Sequence, residues 1–165
     1  MMAAMETRTG IGWDSHRLVA GRPLILGGVE LEHELGLDGH SDADVLTHAV
    51  MDALLGAAGL DDIGAHFPDT DERWRGADSI ALLAQVGRLL AEAGFSVVNV
   101  DATICMERPK VAARRTEMRE RLAAALGLDA GRVNVKATTG ERMGFVGREE
   151  GVAAQAVATI VTALA

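Results

Sequence analysis

The sequence predicts an α+β fold in a single domain. Helical segments with clear start and stop signals alternate irregularly with segments rich in β-branched residues, in the order strand, hairpin, helix, helix, strand, helix, strand. The chain has 165 residues, enough for one core. Neither a repeat nor a linker divides it, so we expect one domain over residues 9–165.

The N-terminal part contains a tail, a strand and a hairpin. Residues 1–8 are Met-rich without periodicity, and we expect them to form a flexible tail. Residues 9–16 alternate between apolar and polar types, as in a strand. Two short apolar runs in residues 23–31 flank Gly27-Gly28, and paired glycines supply the positive φ angles of a tight hairpin.

The first long helix is predicted over residues 41–58. Apolar residues recur there at helical spacing, and Gly59 gives a stop signal. Ser41 is expected to be the N-cap, with Asp44 three residues later in the capping-box position.

Two further helices are predicted from similar start and stop signals. One is predicted over residues 78–93, ended by Gly94. The other is predicted over residues 109–126, because Pro109 suits a helix start and Gly127 a helix end.

The remaining segments favour strands. Residues 95–106 and 132–138 are rich in β-branched residues and partly alternate. Residues 151–164 are ambiguous, because their alanines favour a helix and their valines, threonines and isoleucine favour a strand.

Composition restricts the partners. A net charge of −8 repels a polyphosphate backbone, which argues against nucleic acid as a partner. No apolar run reaches the roughly 18 to 20 residues that span a bilayer, and the first residues lack the apolar stretch of a signal peptide. The one cysteine, Cys105, suits a reducing compartment, so we expect a cytoplasmic protein without a membrane partner.

Asp14, His16 and His48 are candidate ligands of one divalent metal, most simply zinc. Asp14 and His16 are two residues apart on a predicted strand and project from one face. Three such ligands leave a tetrahedral position open, which distinguishes a catalytic zinc from a structural one. Spacing alone does not bring His48 to the strand, and ordinary helix-surface pairing of His48 with nearby aspartates remains the alternative.

Two polar segments suit substrate contacts. His40 and Ser41 lie at a predicted helix start, where free N–H groups favour a phosphate, although a plain helix cap is the alternative. Residues 61–71 form a polar loop that suits either a hydroxyl-binding lid or a solvated connection.

Two later segments suit phosphates and a second cation. Residues 136–141 offer hydroxyls and a carboxylate that can hold a diphosphate with Mg²⁺. The alternative is an ordinary loop that follows a strand. Arg108 and Lys110 can bind a phosphate. The alternative is that both are ordinary solvated surface charges.

Taken together, these motifs closely resemble the 2-C-methyl-D-erythritol 2,4-cyclodiphosphate synthase family. The resemblance covers nearly the whole chain after the tail, and it rests on the order and spacing of several short motifs. They are Gly12-Trp13-Asp14-Ser15-His16-Arg17-Leu18, His40-Ser41-Asp42-Ala43-Asp44 with His48, Asp62-Ile63-Gly64, Phe67-Pro68-Asp69-Thr70-Asp71, Arg108-Pro109-Lys110, Lys136-Ala137-Thr138-Thr139 and Gly144-Phe145.

The resemblance implies an enzyme of the non-mevalonate isoprenoid pathway, a cyclising phosphorus–oxygen lyase. It would convert 4-diphosphocytidyl-2-C-methyl-D-erythritol 2-phosphate into the cyclic diphosphate and CMP, because the 2-phosphate of the substrate attacks the β-phosphate. The fold implied is a mixed β-sheet with helices on one face in a ferredoxin-like arrangement. The assembly implied is a homotrimer with active sites between subunits.

The resemblance also assigns roles to residues. The zinc ligands, or ligands of another divalent metal, are Asp14, His16 and His48, and Glu141 holds Mg²⁺ or Mn²⁺. Catalytic contacts are His40, Ser41 and Thr139. The remaining substrate contacts are Asp62, Gly64, Phe67, Asp69, Pro109, Lys110, Ala137 and Thr138. The last four of these, together with Thr139, belong to the cytidine diphosphate site. Phe145 and Arg148 line a cavity on the trimer axis that takes an isoprenoid phosphate.

This sequence departs from the family at Gly140, where many members carry Thr or Asn. We expect the glycine to loosen the loop that presents Glu141.

Two rival functions stay open. One is a zinc-dependent phosphoester or diphosphate hydrolase, in which Asp62 or His40 serves as the general base for a metal-bound water. The other is a non-catalytic trimeric binding protein whose metal bridges an interface.

Overall fold

One mixed β-sheet organises the fold in the computed structural model, which describes residues 5–163. Its strands are β1 (Met5–Val19), β4 (Gly36–Leu37), β5 (Ser96–Cys105), β6 (Val133–Thr138) and β7 (Gly151–Ala163), and their order across the sheet is β4-β1-β7-β5-β6. The pair β5 and β6 is parallel, whereas the other pairs are antiparallel. A separate hairpin consists of β2 (Leu24–Leu26) and β3 (Val29–Leu31).

The helices cover one face of this sheet. They are α1 (Val45–Ala58), α2 (Ile63–His66), α3 (Ser79–Glu92), α4 (Arg115–Leu126) and α5 (Gly144–Gly147), with 3₁₀ turns at Glu72–Trp74, Ala112–Arg114 and Ala130–Arg132. Helix α1 packs on β1 and β7, α4 packs on β6, and α3 contacts both α1 and α4. None of the helices within the described residues is long and apolar enough to cross a membrane.

The predicted α+β class, with a mixed sheet in one domain, is confirmed, but the ferredoxin-like arrangement is wrong. A ferredoxin-like chain runs β-α-β-β-α-β, with its two consecutive strands in the middle. Here the consecutive long strands are β6 and β7 at the end of the chain. Strand β7 then inserts between β1 and β5, which separates the first strand from the parallel β5-α4-β6 unit.

Residues near both ends of the described part form strands where the sequence predicted a tail or left the structure ambiguous. The tail prediction over residues 1–8 is wrong for residues 5–8, which belong to β1 because they pair with β7 as far as Ala163. Residues 1–4 lie outside the described part. The ambiguous segment 151–164 is a strand through Ala163, because it pairs with β1 on one side and β5 on the other.

The hairpin and the helix ends follow local signals. Gly27 and Gly28 both have positive φ angles, as the turn between β2 and β3 requires. Gly59 and Gly127 adopt the left-handed conformation that ends α1 and α4, as predicted.

The start of α1 differs from the prediction. The N-cap is Asp44, whose carboxylate accepts a hydrogen bond from the Thr47 N–H at 3.0 Å. Ser41 cannot cap this helix, because Ala43 has a φ of 57° and breaks helical geometry between them.

Asp44 also ties the hairpin to α1. Its carboxylate accepts the backbone N–H groups of Gly27 and Gly28 at 2.9 and 2.7 Å. Complete burial raises the pKa of Asp44, against the effect of these hydrogen bonds. The segment that carries His40 and Ser41 is therefore fixed at its far end.

The helix predicted from Pro109 begins later, at Arg115. The Arg108–Pro109 peptide bond is cis, and Pro109 lies in a loop. Arg108 anchors this loop through paired hydrogen bonds to the carboxylate of Glu149 at 3.0 and 2.7 Å and one to Glu34 at 3.2 Å. The guanidinium is thus engaged by carboxylates.

Glycines on β1 allow α1 to approach unusually closely. A Cβ atom on Gly12 would lie 1.9 Å from the carbonyl oxygen of Ala49, and one on Gly10 would lie 2.1 Å from that of Ala53. Only a residue without a side chain fits at either position. This contact sets the position of α1, and with it His48, against β1.

Candidate metal centre and substrate pockets

Asp14, His16 and His48 meet where β1 and α1 touch. The Asp14 Oδ2 atom lies 2.9 Å from His16 Nε2 and 3.0 Å from His48 Nδ1, and the two nitrogens are 3.2 Å apart. Asp14 and His16 share the strand face of Gly12, so the period of the strand and the close helix contact together create the triangle.

The far nitrogen of each imidazole is held in place. His16 Nδ1 donates to the carbonyl oxygen of Asp38 at 2.7 Å, so Nε2 is the nitrogen that faces Asp14, as a donor to its carboxylate when protonated or as a ligand when a cation is bound. His48 Nε2 lies 2.9 Å from Ser79 Oγ and 3.2 Å from Ser41 Oγ. Both rings are therefore oriented toward Asp14 by partners outside the triangle.

The electrostatics of the triangle favour a positive charge. Burial alone raises the pKa of Asp14, but hydrogen bonds from His16 and His48 outweigh it and lower this pKa to about 2. Burial lowers the pKa of His16, but its contact with the Asp14 carboxylate raises it overall. A cation among these atoms thus receives one carboxylate and two imidazole nitrogens, the donor set of a zinc site.

Within residues 5–163, this triangle is the only group of metal-ligating side chains close enough to hold one ion. The three predicted ligands are therefore brought together. His48 is buried, whereas Asp14 and His16 are partly exposed at the wall of a cavity.

That cavity has a volume of about 540 Å³ and lies between β1, α1 and the polar loop that was predicted as a lid or connection. Asp14 and His48 line this cavity. Six further residues predicted for the ligand or substrate sites also line it: His16, His40, Ser41, Gly64, Phe67 and Asp69. His40 Nε2 donates to the carbonyl oxygen of Asp71 at 3.1 Å, which links the two sides of the opening.

Asp62 is placed differently from its neighbours in the predicted site. Its Oδ1 atom accepts the Ala65 N–H at 2.9 Å and caps α2, and Asp62 is absent from the lining of the cavity. Asp52 on α1 accepts the Ile63 N–H at 2.8 Å and fixes the same turn. A role of Asp62 as the base of a hydrolase has no support from this position.

A second pocket of about 80 Å³ lies at the ends of β5 and β6. All five residues that the resemblance assigns to the cytidine diphosphate site line it: Pro109, Lys110, Ala137, Thr138 and Thr139. The parallel pairing of β5 with β6 brings the Pro109 loop beside the loop after β6.

Glu141 lies outside the metal triangle. Its carboxylate accepts a hydrogen bond from the Thr139 hydroxyl at 3.1 Å, and the Glu141 backbone has a positive φ of 51°. Within the described residues, no further metal-ligating side chains complete a second set with it.

The expectation that Gly140 loosens this loop is wrong. A Cβ atom there would lie 2.7 Å from the Gly147 nitrogen and 2.9 Å from the Met143 carbonyl oxygen. The Gly140 N–H also donates to the Glu107 carboxylate at 2.6 Å. Gly140 permits close packing, and the loop is held at that point.

Phe145 and Arg148 lie beside a separate depression of about 190 Å³ at the start of β7. Phe145 lines it together with residues of β1, whereas the Arg148 guanidinium pairs with Glu150 at 3.2 Å.

Sequence reasoning missed Ser79 and Asp42 as neighbours of the metal triangle. Ser79 lies at the first turn of α3 and is fully buried against His48. No motif marks it, because its contact with His48 depends on how α3 packs against α1. Asp42 belongs to one of the motifs that carry the family resemblance, but its partner Ser79 lies 37 residues away in the sequence.

Comparison with known proteins gives a consistent result. The model of the YgbB family matches residues 7–161. A protein of Symbiobacterium thermophilum named 2-C-methyl-D-erythritol 2,4-cyclodiphosphate synthase is 62% identical over 151 residues, covering 92% of this chain and 96% of that protein.

Another relative is longer. The bifunctional enzyme IspD/IspF of Anaeromyxobacter dehalogenans is 61% identical over 155 residues, which are 94% of this chain but 40% of that enzyme. This chain therefore spans less than half of that relative.

A solved structure has the same fold. The structure of a 2-C-methyl-D-erythritol 2,4-cyclodiphosphate synthase in a CDP-bound form superposes with a TM-score of 0.83 at 38% identity, covering 92% of this chain and 98% of that one.

Proposed function

Because the chain belongs to the YgbB family, together with proteins named 2-C-methyl-D-erythritol 2,4-cyclodiphosphate synthase, we propose that it catalyses their reaction. It converts 4-diphosphocytidyl-2-C-methyl-D-erythritol 2-phosphate into 2-C-methyl-D-erythritol 2,4-cyclodiphosphate and CMP. The observation that carries this proposal is the Asp14, His16 and His48 triangle in the wall of a cavity of about 540 Å³. A relative in this family has been solved with CDP, which corresponds to the nucleotide end of such a substrate.

The chain positions a substrate that reacts with itself. The nucleophile is the 2-phosphate of the substrate, so the protein needs no nucleophile of its own and must bend the substrate and stabilise its charge. Ser41 and His40 line the cavity and are suited to contact a phosphate there. Gly64, Phe67 and Asp69 line the opposite part and are suited to enclose the methylerythritol unit.

The second pocket accommodates the cytidine end. Pro109 and Ala137 offer apolar contact, and Lys110 and Thr138 offer donors for the diphosphate. Thr139 lines this pocket and donates to Glu141, so the hydroxyl lies between the nucleotide pocket and the carboxylate.

We assign zinc to the triangle and a harder cation, Mg²⁺ or Mn²⁺, to Glu141. One carboxylate and two imidazoles suit zinc, whereas Mg²⁺ is usually held by one or two carboxylates together with substrate phosphates. The chemistry that both ions supply when bound is neutralisation of the charge that develops on the diphosphate oxygens.

A homotrimer is proposed because the sheet has a face without helices. Ile11, Trp13 and Val157 are 64%, 56% and 40% exposed there, and Ile11 and Val157 are paired across β1 and β7. Apolar groups of this size exposed together mark an association surface. A partner subunit on this face would complete the shallow nucleotide pocket.

The depression next to Phe145 is proposed to take an isoprenoid phosphate on the trimer axis. Phe145 is 38% exposed and supplies apolar surface. Arg148 supplies a cation nearby, on condition that the phosphate displaces Glu150. Cytoplasmic location remains a prediction, which fractionation of cells checks.

The reaction is tested by incubating the purified chain with the cytidine substrate, Zn²⁺ and Mg²⁺ and following phosphorus NMR. We expect the cyclic diphosphate together with CMP. Hydrolysed diphosphate would instead support the hydrolase, and unchanged substrate would support a binding protein. Sedimentation of the same sample gives the oligomeric state, and Trp13→Glu is expected to yield monomers.

A further inference from the structure

We propose that Ser79, held by Asp42, is a positioning residue for the metal site. Together they supply a buried acceptor for the His48 Nε2–H group, which holds the ring with Nδ1 as the ligand nitrogen when a metal occupies the triangle. This inference rests on the metal site proposed above and goes beyond it, because it names what selects the ligand atom.

The direction of the hydrogen bonds follows from counting hydrogens. Ser79 Oγ has one hydrogen, and Asp42 Oδ1 lies 2.5 Å away. An ionised carboxylate only accepts, and both Asp42 oxygens already accept backbone N–H groups, from Asp44 at 3.1 Å and from Ser79 at 2.9 Å. Ser79 therefore donates to Asp42. Toward His48 Nε2, at 2.9 Å, it can only accept.

Asp14 competes for the same proton while the triangle holds no cation, because its Oδ2 atom lies 3.0 Å from His48 Nδ1 and can accept a hydrogen there. With a cation in the triangle, Nδ1 is a ligand and the ring proton is on Nε2, where Ser79 accepts it. Ser79 is fully buried and His48 is 7% exposed, so solvent does not replace this acceptor when it is removed.

Ser79 also frees the hydroxyl of Ser41 for substrate. Ser41 Oγ accepts the Ala43 N–H at 3.2 Å and lies 3.2 Å from His48 Nε2, a longer contact than that of Ser79. With the His48 proton directed at Ser79, the hydrogen of Ser41 remains available in the cavity. Ser41 lines this cavity, whereas Ser79 is absent from the lining.

The Ser79 hydroxyl is not required to start α3. The N-cap of that helix is Asp78, whose carboxylate accepts the Ile80 N–H at 2.9 Å. Asp78→Ala therefore weakens the same helix end without removing a contact to His48, which makes it a matched control for Ser79→Ala.

The first test is ¹⁵N NMR of the histidine rings in the zinc-loaded wild-type protein without substrate, with His48→Gln used to assign the signal. We expect zinc on Nδ1 and an Nε2–H proton that exchanges slowly with solvent, because buried Ser79 accepts it. Zinc on Nε2, or an Nε2–H proton that exchanges as fast as that of an exposed histidine, would overturn the proposal, whether or not any variant folds. Because no substrate is present, this result is independent of whether the enzymatic reaction proposed above is correct.

The second test is metal affinity, measured by competition of Zn²⁺ with a chelator. Ser79→Ala is expected to bind zinc about 10- to 100-fold more weakly, the effect usual for loss of a partner that orients a ligand. Its His48 Nε2–H proton should exchange faster with solvent, and saturating zinc should restore turnover with an unchanged KM. Asp78→Ala should retain wild-type affinity.

Asp42→Asn gives an independent variant if Ser79→Ala does not fold. In either orientation the new NH2 group faces one of the two backbone N–H groups that Asp42 accepts, which displaces the side chain from the Ser79 hydroxyl. Its zinc affinity should therefore also fall. Wild-type affinity in the folded variants, or an equal loss in Asp78→Ala, would contradict the proposal.

Discussion

The two pockets of this protein differ in how far the chain builds them. The metal cavity has a volume of about 540 Å³, and both imidazoles of its triangle are held by partners outside it. The pocket that we propose for the nucleotide has a volume of about 80 Å³, and Lys110, Ala137 and Thr138 in its lining are exposed. The larger cavity is largely formed within a single chain, whereas the smaller pocket is a shallow depression at the edge of the sheet.

This difference separates two ways of making a site. Around the Asp14, His16 and His48 triangle, both imidazoles are already oriented, so loss of a ligand should remove most of the activity. At the pocket proposed for the nucleotide, we expect contacts to form largely when substrate and the proposed neighbouring subunit bind, so a single change should weaken binding more gradually. The following predictions test this contrast, from the largest expected effect to the smallest.

Removal of a metal ligand should have the largest effect. His48→Ala is expected to lose bound zinc and to reduce turnover roughly 1,000-fold, because metal stabilisation of developing charge is worth several kcal/mol. Elemental analysis and a turnover assay measure the two losses. His66→Ala is the matched control, because its ring bonds to the Leu60 carbonyl at 2.7 Å, away from the triangle. Unchanged metal content in His48→Ala would refute the ligand assignment.

A change on the strand beneath the metal should act through the fold. In Gly12→Ala the new Cβ atom would overlap the Ala49 carbonyl, forcing α1 and His48 away from β1. We expect a loss of about 3 kcal/mol in the free energy of unfolding, the upper part of the range for overpacking, and weaker zinc binding.

Urea denaturation measures this loss, and Gly131→Ala serves as its control. Nothing lies within 4 Å of a Cβ atom at Gly131. That variant should stay within about 0.5 kcal/mol of wild type. Equal stabilities of the two variants would show that close contact between α1 and β1 is not required.

A change in the nucleotide pocket should have a smaller effect on catalysis. Thr139→Val removes a hydroxyl that lines the pocket and donates to Glu141. We expect kcat/KM to fall about 10-fold, as for loss of one hydrogen bond to a charged group. Zinc content should not change. The exposed Thr116→Val on α4 is the control, and a loss of zinc in Thr139→Val would mean that the two pockets are not separate.

The smallest effect concerns the open face of the sheet near the nucleotide pocket. Lys136 contacts Asp101 and lowers the pKa of that carboxyl. A lowered pKa in the folded state means that the contribution to stability is present above the unfolded pKa and disappears as the pH falls through the folded pKa.

Lys136→Met should therefore be less stable than wild type at pH 7. The difference should be below about 1 kcal/mol, because the pair is exposed. The two proteins should converge at acid pH below the ordinary carboxyl range. Denaturation curves across pH measure this, and a difference that persists at low pH would assign the effect to packing of the lysine stem.

Much of the fold was accessible from local signals. The Gly27-Gly28 turn and the glycines after α1 and α4 were predicted correctly because each requires a backbone conformation that glycine adopts readily. The predicted start of α1 at Ser41 failed, because the true cap, Asp44, is chosen by the hairpin that also binds its carboxylate.

The site was predictable only in part for the same reason. Strand periodicity placed Asp14 and His16 on one face. His48 was a candidate third ligand that spacing could not bring to the strand, and the resemblance to a family supported it and supplied the residues of the second pocket. Ser79 carried no signal, because a serine at a helix start is common and its partner was unknown.

By itself, the sequence determined where the chain turns, which strand face carries Asp14 and His16, and which family the motifs resemble. The tertiary structure alone decided that the Ala-rich segment is β7, because its hydrogen bonds come from β1 and β5 at distant points in the chain. It also decided the place of His48, because Gly10 and Gly12 fix how closely α1 approaches β1. Local sequence patterns predict backbone conformation. A site formed between elements depends on contacts among residues that are distant in the sequence, which local patterns do not predict.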